Sequence, residues 1–273
     1  MKRIIIVLIV LSVALNVCSQ NDLKVMSFNI RYSEAHDGTN SWKYRRDAVV
    51  EMIKDQQPAV FGLQEALNEQ IIYIRSNCKQ YVALGVGRED GKEDGEHMEV
   101  FYNQNLFTLL DWHTFWLSET PDTPSKGWDA ACKRTATWVK LQSKADGRKF
   151  YFVDTHLDHV GEVARRNGLS LIVDSIGALN KENYPMILVG DFNVSPDDGC
   201  LTELNRRMKS ARLTAEITDN APTFHDWGKR GEWIDYIYYK GFERCKEYKV
   251  MNKRYNDTPY VSDHNPITAI IVW

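Results

Sequence analysis

The amino-acid sequence predicts a single α/β domain built on one mixed sheet or on two sheets. Three observations support this class. Strand-like and helix-like segments alternate through the first half of the chain, and strand-like segments dominate the second half. The 273 residues contain no linker rich in proline, glycine or serine and no internal repeat. Hydrophobic residues make up 43% of the chain, which is enough for one sizeable core.

Segments in the first half of the chain alternate between strand and helix periodicity. Residues Leu23–Ile30 alternate like a strand, and the apolar residues of Trp42–Ile53 recur at helical spacing. The apolar run Ala59–Leu63 predicts a short buried strand, and a second helix is predicted over Asn68–Asn77. The segment Gly85–Gly95, rich in glycine and charge, then predicts a solvated loop or hairpin, because it is too irregular for a phosphate-binding loop.

Strands dominate the rest of the chain, although two further helices are predicted there. The helices cover Val163–Ala178, where apolar residues recur at helical spacing, and Leu201–Met208. The predicted strands are Val100–Tyr102, Phe107–Trp112, Ala136–Leu141, Phe150–Thr155, Ile187–Val189, Trp233–Tyr239 and Ile267–Val272. This uneven alternation predicts a mixed sheet or two sheets.

Residues 1–19 have the pattern of a secretory signal peptide. A basic pair precedes a long apolar run, and polar residues begin at Ser19. Cleavage after Ser19 is the favoured prediction, and it leaves a domain over residues 22–273. Lipid attachment through Cys18 is a less favoured alternative, because Val17 is a poor match before a lipobox cysteine, and an uncleaved membrane anchor is the third. We therefore expect an exported protein, in the periplasm, in the medium or on the outer surface.

The net charge and the cysteine content give only partial information about binding partners, zinc sites and disulfides. Removing the two basic residues of the leader changes the formal net charge from −3 to −5. An acidic chain lacks the overall positive field that drives nonspecific nucleic-acid binding, so a nucleic-acid substrate stays open but is not favoured. No cysteine or histidine spacing indicates zinc. Four cysteines follow the leader and allow either three disulfide pairings or free buried thiols, namely Cys78, Cys132, Cys200 and Cys245.

Polar side chains of one chemical kind stand at the ends of the predicted strands. The stretch Ile187–Asn193 is the clearest case, because an apolar run ends in glycine and then presents Asp191 and Asn193 on the same side. Open α/β sheets place their chemistry at such strand ends. Other predicted strand ends or starts carry carboxylates, amides or imidazoles, namely Asn29, Glu65, Asp154, His156, Asp263 and His264, and Asp235 lies inside the predicted strand Trp233–Tyr239.

These residue types favour metal-assisted hydrolysis. Oxygen ligands suit a hard divalent cation, Mg²⁺ or Mn²⁺, better than zinc. The two histidines supply groups that exchange protons near neutral pH. The chain has no Gly-x-Ser-x-Gly elbow and no cysteine–histidine pair in a nucleophile context, so attack by water is the economical interpretation. Each residue also has a structural alternative as a turn cap, a helix start or half of an ion pair, but their recurrence at strand ends favours function.

Six short motifs resemble, in the correct order, those of the endonuclease/exonuclease/phosphatase family, which is the DNase I-like superfamily. The motifs are Ser27–Arg31, Leu63–Glu65, Thr155–Leu157, Gly190–Asn193, Ile234–Ile237 and Ser262–Pro266. The resemblance covers residues 22–273 and is specific to the family but not to a substrate. It implies a secreted bacterial member with a two-sheet sandwich flanked by helices, and a site where the sheets meet at one edge.

The resemblance implies a catalytic role for five matching residues. Asp191 matches the residue that orients or deprotonates the attacking water, and Asn193 matches the residue that fixes this group and the phosphate. His264 resembles the family's catalytic histidine, with Asp235 as its orienting partner. His156 resembles a histidine that contacts phosphate. Three further residues are implied at the metal: Glu65 is similar to the principal Mg²⁺ ligand, and Asn29 and Asp263 lie close to the ion.

The candidate substrate-binding residues match the family's motifs less closely than the catalytic and metal-binding candidates do. The segment after residue 85 should supply a further polar group, and we rank Arg88 and Glu96 ahead of His97 and Glu99. Arg165 is a candidate for binding phosphate, although a solvated helix face explains it equally well.

The expected function is that of a secreted Mg²⁺-dependent phosphoesterase in which water attacks phosphorus in line. A phosphodiester is the first choice of substrate, and a phosphomonoester of an inositol or a sugar is the second. A sphingomyelinase-like lipid activity is also open, and four aromatic residues would then approach a membrane, namely Trp112, Phe115, Trp116 and Trp128. The rival from another class is a noncatalytic binding module, which the retention of Glu65, Asp191 and His264 disfavours. The oligomeric state stays open.

Overall fold

The computed structural model describes residues 22–273, so the predicted signal peptide lies outside the described residues. The strands are β1 (Asp22–Asn29), β2 (Val60–Ala66), β3 (Tyr81–Leu84), β4 (His97–Asn103), β5 (Phe107–Trp116), β6 (Thr135–Ser143), β7 (Lys149–His156), β8 (Met186–Asp191), β9 (Lys209–Ser210), β10 (Ile217–Thr218), β11 (Asp235–Lys240), β12 (Arg244–Val250) and β13 (Ile267–Val272). The helices are α1 (Trp42–Gln56), α2 (Asn68–Asn77), α3 (Glu162–Leu179), α4 (Leu201–Arg207) and α5 (Ala211–Thr214).

The strands form two mixed sheets. The first sheet has seven strands in the order β10-β12-β13-β1-β2-β4-β3, and the second has six in the order β5-β6-β7-β8-β11-β9. The predicted α/β class is therefore confirmed, in its two-sheet form.

Alternation along the strands separates the apolar side chains into three cores. In β1, Leu23 and Val25 face the other sheet, whereas Met26 and Phe28 face outward. Helices α1 and α2 cover the outer face of the first sheet, and α3 and α4 cover that of the second. The result is four layers, helices–sheet–sheet–helices, in which both faces of each sheet are buried. This double burial explains why several strands are apolar without clean alternation.

The strand ends meet at one edge because of the sheet topology. Strands β1 and β2 run parallel, and so do β7 and β8, so their carboxyl ends point the same way within each sheet. Strands β11 and β13 are antiparallel to β8 and β1, and they begin at that edge, where Asp235 pairs with Asp191 and Ile267 with Ser27. Residues that follow the parallel strands and residues that precede the antiparallel strands therefore lie close together at this edge.

Several predicted elements need correction. Strand β11 begins at Asp235, so this residue starts the strand and does not lie inside it. Strands β3 and β12 were not predicted. The apolar residues of β12 are Cys245, Tyr248 and Val250, and a bulge between Cys245 and Glu247 breaks their spacing of two. Strand β3 is only four residues long and lies at the sheet edge.

Within residues 22–273, no helix is long and apolar enough to cross a membrane. The four cysteines of this range are free thiols, which is the second of the two alternatives that the sequence left open. Cys78 and Cys245 are buried, and Cys132 and Cys200 are partly exposed.

Candidate active site

The converging strand ends border a cavity of about 710 Å³. Most of the residues predicted from the sequence line it, namely Glu65, Arg88, Glu96, His156, Asp191, Asn193, Asp263 and His264. Asn29 and Asp235 lie directly behind this lining and contact it by hydrogen bonds. The cavity therefore gathers side chains from both sheets, and its volume is that of a small-molecule site.

Asp191 is held by hydrogen bonds to both of its carboxylate oxygens. The Asn29 Nδ2 group donates to Oδ2 over 3.0 Å, and the backbone N–H of Asn193 donates to Oδ1 over 2.9 Å. Asp191 is 2% exposed. Burial, reinforced by the nearby charge of Asp235, raises the pKa of Asp191 to about 7. A carboxylate with a pKa in this range is suited to accept a proton near neutral pH.

Gly190 makes the close approach of β8 to β7 feasible. Its φ is 154°, and a Cβ atom at this position would lie 2.0 Å from the carbonyl oxygen of Thr155. Only glycine therefore lets the chain turn from the strand into Asp191 at this separation.

His264 and Asp235 form a buried hydrogen-bonded pair. The distance between His264 Nδ1 and Asp235 Oδ2 is 2.9 Å, and His264 Nε2 points toward Asp191 Oδ2 at 3.7 Å. Burial lowers the pKa of His264, but the charge and the hydrogen bond of Asp235, with attraction from Asp191 and Asp263, raise it to about 10. His264 is thus a cation at neutral pH, with one N–H directed into the cavity.

His156 is a buried neutral histidine. Burial and the nearby charges of Arg134 and Arg88 keep its pKa well below the usual range. The Asn193 Nδ2 group donates to the carbonyl oxygen of Leu157 over 3.0 Å, which fixes the orientation of the amide. The same Nδ2 lies 2.9 Å from His156 Nε2, so this nitrogen accepts, and the ring carries its proton on Nδ1.

Glu65 sits on a strained backbone at a break in β2. Its φ is 62°, and the register between β2 and β4 shifts between Leu63 and Ala66. Non-glycine residues seldom adopt this conformation, and such residues concentrate at functional sites. The Asn29 Nδ2 group and the Tyr32 backbone N–H donate to the two carboxylate oxygens of Glu65, over 3.0 and 3.2 Å. The carboxylate is therefore aimed into the cavity.

Three groups of side chains among residues 22–273 could hold a metal ion. Ligand atoms of Cys132, Asp158 and His159 lie within 4.8 Å of one another, but the Asp158 carboxylate already accepts from four backbone N–H groups. Ligand atoms of Asp191, Asp235 and His264 lie within 4.8 Å of one another. In this group, however, the histidine and Asp235 already satisfy each other, and the histidine is positively charged. Glu65 and Asp263 are the better candidates, since both carboxylates line the cavity. Burial and repulsion from Glu65 raise the pKa of Asp263, and a cation between these carboxylates would relieve that repulsion. This all-oxygen donor set fits a hard divalent cation.

Arginines and acids also line the cavity. Arg88 donates to Glu96 over 2.7 Å, and the Trp116 indole N–H donates to the carbonyl oxygen of Arg88. Burial and repulsion from Glu65 raise the pKa of Glu96 to about 7. Arg134, which was not predicted, lines the cavity and donates to Asp158 and toward His159 Nδ1.

Arg165 lies outside the cavity. Its side chain is buried and donates to the carbonyl oxygen of Asp158 over 3.0 Å. The carboxylate of Asp158 accepts from four backbone N–H groups, among them those of Cys132 and Gly161. Arg165 therefore supports the loop that carries His159, and the structure offers Arg134 as the arginine nearer the cavity.

Further lining residues were not among the candidates named from the sequence, because most of them lie in loops away from the predicted strand ends. These are Arg31, Tyr32, Cys132, Arg134, His159, Phe224, Asp226, Arg230, Glu232 and Ile234. A search for cations just before strands would have found Arg134, which directly precedes β6. The residues between 223 and 234 carry no comparable signal.

Solved structures of known proteins match the fold of this chain and are similar to it in sequence over 92% of its length. The chain is 38% identical to an endonuclease/exonuclease/phosphatase structure from Bacteroides vulgatus, with a TM-score of 0.87, covering 92% of this chain and 99% of that one. It is 30% identical to a mannosyl-6-phosphatase from Bacteroides thetaiotaomicron, with a TM-score of 0.88, covering 92% and 100%. A second family protein from Bacteroides thetaiotaomicron is 30% identical, with a TM-score of 0.85, covering 92% and 98%.

The sequence profile of the Endonuclease/Exonuclease/phosphatase family matches residues 26–264. This range contains five of the six motifs in full, the first three residues of the sixth, and every residue predicted for the site. The chain therefore belongs to the Endonuclease/Exonuclease/phosphatase family, whose members hydrolyse phosphoester bonds.

Proposed function

We propose that this protein uses a divalent cation, Mg²⁺ or Mn²⁺, to hydrolyse a phosphate monoester of a small molecule. The observation that carries the proposal is the position of Asp191 between Asn29, Asn193 and the protonated His264. This carboxylate lines the same cavity as the candidate metal ligands Glu65 and Asp263. A base, a cationic proton donor and a cation site within one cavity are the parts that phosphoester hydrolysis requires.

Two observations favour a monoester over the diester that the sequence analysis gave as the first choice. The mannosyl-6-phosphatase shares 30% identity over nearly the whole length of both chains. The cavity is also small and is lined by three arginines near the metal candidates and the catalytic pair, namely Arg31, Arg88 and Arg134. A monoester dianion carries more negative charge than a diester and gains more from these guanidinium groups.

In the proposed reaction, Asp191 accepts a proton as the water oxygen attacks phosphorus. The hydrogen bonds from Asn29 and Asn193 leave the Asp191 carboxylate oriented for this step. His264 donates a hydrogen bond from Nε2 to a phosphoryl oxygen, and Asp235 holds the ring in place through Nδ1. The ester P–O bond breaks, and the leaving oxygen takes up a proton from solvent and departs as an alcohol, while Asp191 returns the proton that it accepted to solvent. When bound by Glu65 and Asp263, the metal supplies positive charge that stabilises the phosphoryl group and the leaving oxygen.

The test is p-nitrophenol release by residues 20–273 from p-nitrophenyl phosphate and bis-p-nitrophenyl phosphate. We expect activity with Mg²⁺ or Mn²⁺, loss of activity in EDTA, and a higher kcat/KM for the monoester. Asp191→Asn and His264→Ala should each reduce the rate by at least about 10²-fold, because each removes a group that acts in the transition state.

The matched controls are Asp122→Asn and His113→Ala, which change exposed residues outside the cavity lining. Both controls should retain the wild-type rate. Full activity of Asp191→Asn would refute the assigned base. A preference for the diester would restore the first choice of substrate class, and no activity on either ester would support the noncatalytic alternative.

A lipid substrate has little structural support. Two of the four aromatic residues that would approach a membrane, Phe115 and Trp116, are buried, and the Trp116 indole holds the Arg88 backbone. Trp112 is 36% exposed on β5. We therefore do not place a membrane-binding surface at this segment.

We also propose export by residues 1–19, for which the basic, apolar and polar order of the sequence is the support. Mass spectrometry of the mature protein should find an N-terminus at Gln20 without lipid. A lipidated Cys18, or an intact Met1, would instead support one of the two alternatives.

A further inference from the structure

One wall of the cavity is a loop, residues 223–232, that is bonded to the catalytic segment. The His225 backbone N–H donates to the carbonyl oxygen of Asp263 over 2.9 Å, and Asn265 N–H donates to that of Thr223 over 2.6 Å. Phe224 forms an isolated β-bridge with His264, and their rings lie 4.8 Å apart. The loop therefore keeps a fixed position relative to the catalytic histidine.

Three successive residues of this loop adopt left-handed backbone conformations. The φ angles are 43° at Asp226, 55° at Trp227 and 86° at Gly228. Such a run is unfavourable for side-chain-bearing residues and persists only where the surroundings enforce it. Here the His225 ring accepts the Gly228 N–H at Nδ1, and the Tyr260 ring packs 4.7 Å from that of His225. These contacts hold the turn in its left-handed conformation, and the turn brings the Asp226 side chain to the cavity lining.

The loop presents an alternating set of acceptors and donors to the cavity. Asp226, Arg230 and Glu232 all line it. Arg230 lies 3.8 Å from Asp226 and 3.7 Å from Glu232, beyond hydrogen-bond distance, so both carboxylates keep acceptor capacity. Their side chains are 32% and 49% exposed. Phe224 adds an apolar face next to them.

We propose that this loop is the leaving-group wall of the site and selects neutral, hydroxyl-rich leaving groups, such as that of a sugar or polyol monophosphate. A hydroxyl both donates and accepts, so it can bond to Asp226 or Glu232 and to Arg230 at once. Lys229 lies 3.6 Å from Asp226 but outside the cavity lining, and among the loop residues that line the cavity the two carboxylates outnumber the single arginine. A leaving group that carries a second phosphate is therefore repelled at this wall. This inference rests on the proposed monoesterase activity and adds to it the class of the leaving group.

The test compares kcat/KM for three esters, a hexose 6-phosphate, a hexose 1,6-bisphosphate and p-nitrophenyl phosphate. The wild type should prefer the hexose monophosphate to the bisphosphate by at least about tenfold. The double variant Asp226→Asn/Glu232→Gln should reduce that ratio by about tenfold, with a lower value for the monophosphate and a higher one for the bisphosphate. Asparagine tolerates the left-handed backbone of residue 226, so the turn is kept.

Glu232→Gln alone tests the same wall without altering the left-handed turn and should shift the ratio in the same direction. The control Asp122→Asn, which changes an exposed carboxylate outside the cavity lining, should leave the ratio at its wild-type value. Equal use of both hexose phosphates by the wild type, or an unchanged ratio in both variants, would overturn the inference while the monoesterase proposal stands. Release of phosphate from none of the three esters would overturn both.

Discussion

Replacing Asp235 with asparagine should lower the pKa of His264, which is a cation at neutral pH in the wild type. The imidazole is 4% exposed and its Nδ1 lies 2.9 Å from Asp235 Oδ2. Burial alone would lower the pKa of His264 beneath its ordinary value of 6.5, and the charge and hydrogen bond of Asp235 are the largest influences that raise it to about 10. At pH 8 a group with a pKa of 10 is about 99% protonated, whereas one at 6.5 or lower is at most about 3% protonated.

The sign of the effect follows from these fractions. The wild-type ring keeps its proton from pH 5 to 9, while the variant should lose it at a lower pH, because the charge and hydrogen bond of Asp235 are gone and only Asp191 and Asp263 still raise the pKa. Histidine ring NMR of metal-free protein, titrated over this range, should show no His264 transition in the wild type and a transition within the range in Asp235→Asn. Asp122→Asn serves as the charge-matched control. Identical His264 titrations in wild type and Asp235→Asn would refute the argument that Asp235 sets the charge of the catalytic histidine.

Three further perturbations test the surroundings of the site. Gly190→Ala should destabilise the fold by about 3 kcal/mol or more in urea unfolding, because its Cβ would meet the Thr155 carbonyl oxygen at a strained φ. The control Gly177→Ala has open space around the added Cβ and should not destabilise the fold. Equal unfolding midpoints for the two variants would contradict this account. Burial raises the pKa of Asp154 well above its ordinary range, so the folded state binds this proton more tightly than the unfolded state, and the wild type should lose stability relative to Asp154→Asn as the pH rises above 3.8. Parallel midpoint curves would show that Asp154 does not titrate as described. Burial lowers the pKa of His225 to about 4, so stability should fall as the pH drops from 6.5 toward 4, and less so in His225→Asn, as thermal unfolding at each pH would reveal.

The convergence of the candidate site residues was predictable because these residues stand where strands end or begin. Asn29, Glu65, His156 and Asp191 follow or close parallel strands, and the sheet topology brings such positions to one edge. The apolar runs before these residues revealed the strands, and a polar residue after a buried run is visible in the sequence alone. Convergence of the two sheets, however, came from the family resemblance, since no local pattern records which sheets pack together.

The parts that were missed depend on backbone conformation and on distant packing. The left-handed turn at Asp226 and Trp227 is held by His225 and Tyr260, and non-glycine residues give no sequence signal for such a turn. The bulge in β12 hid that strand by breaking its alternation. Arg165 lies in a helix whose charged residues all look exposed in sequence, but its guanidinium turns back to the carbonyl of Asp158, which is a tertiary contact.

The most direct test of the central claim is hydrolysis of a phosphate monoester in H₂¹⁸O with Mg²⁺, followed by mass spectrometry of both products. If water activated at Asp191 attacks phosphorus, one ¹⁸O atom should enter the released phosphate and none the alcohol. Label in the alcohol would show that the C–O bond breaks. Phosphate released without label would show that water is not the nucleophile at phosphorus, and either result would contradict the proposed role of Asp191.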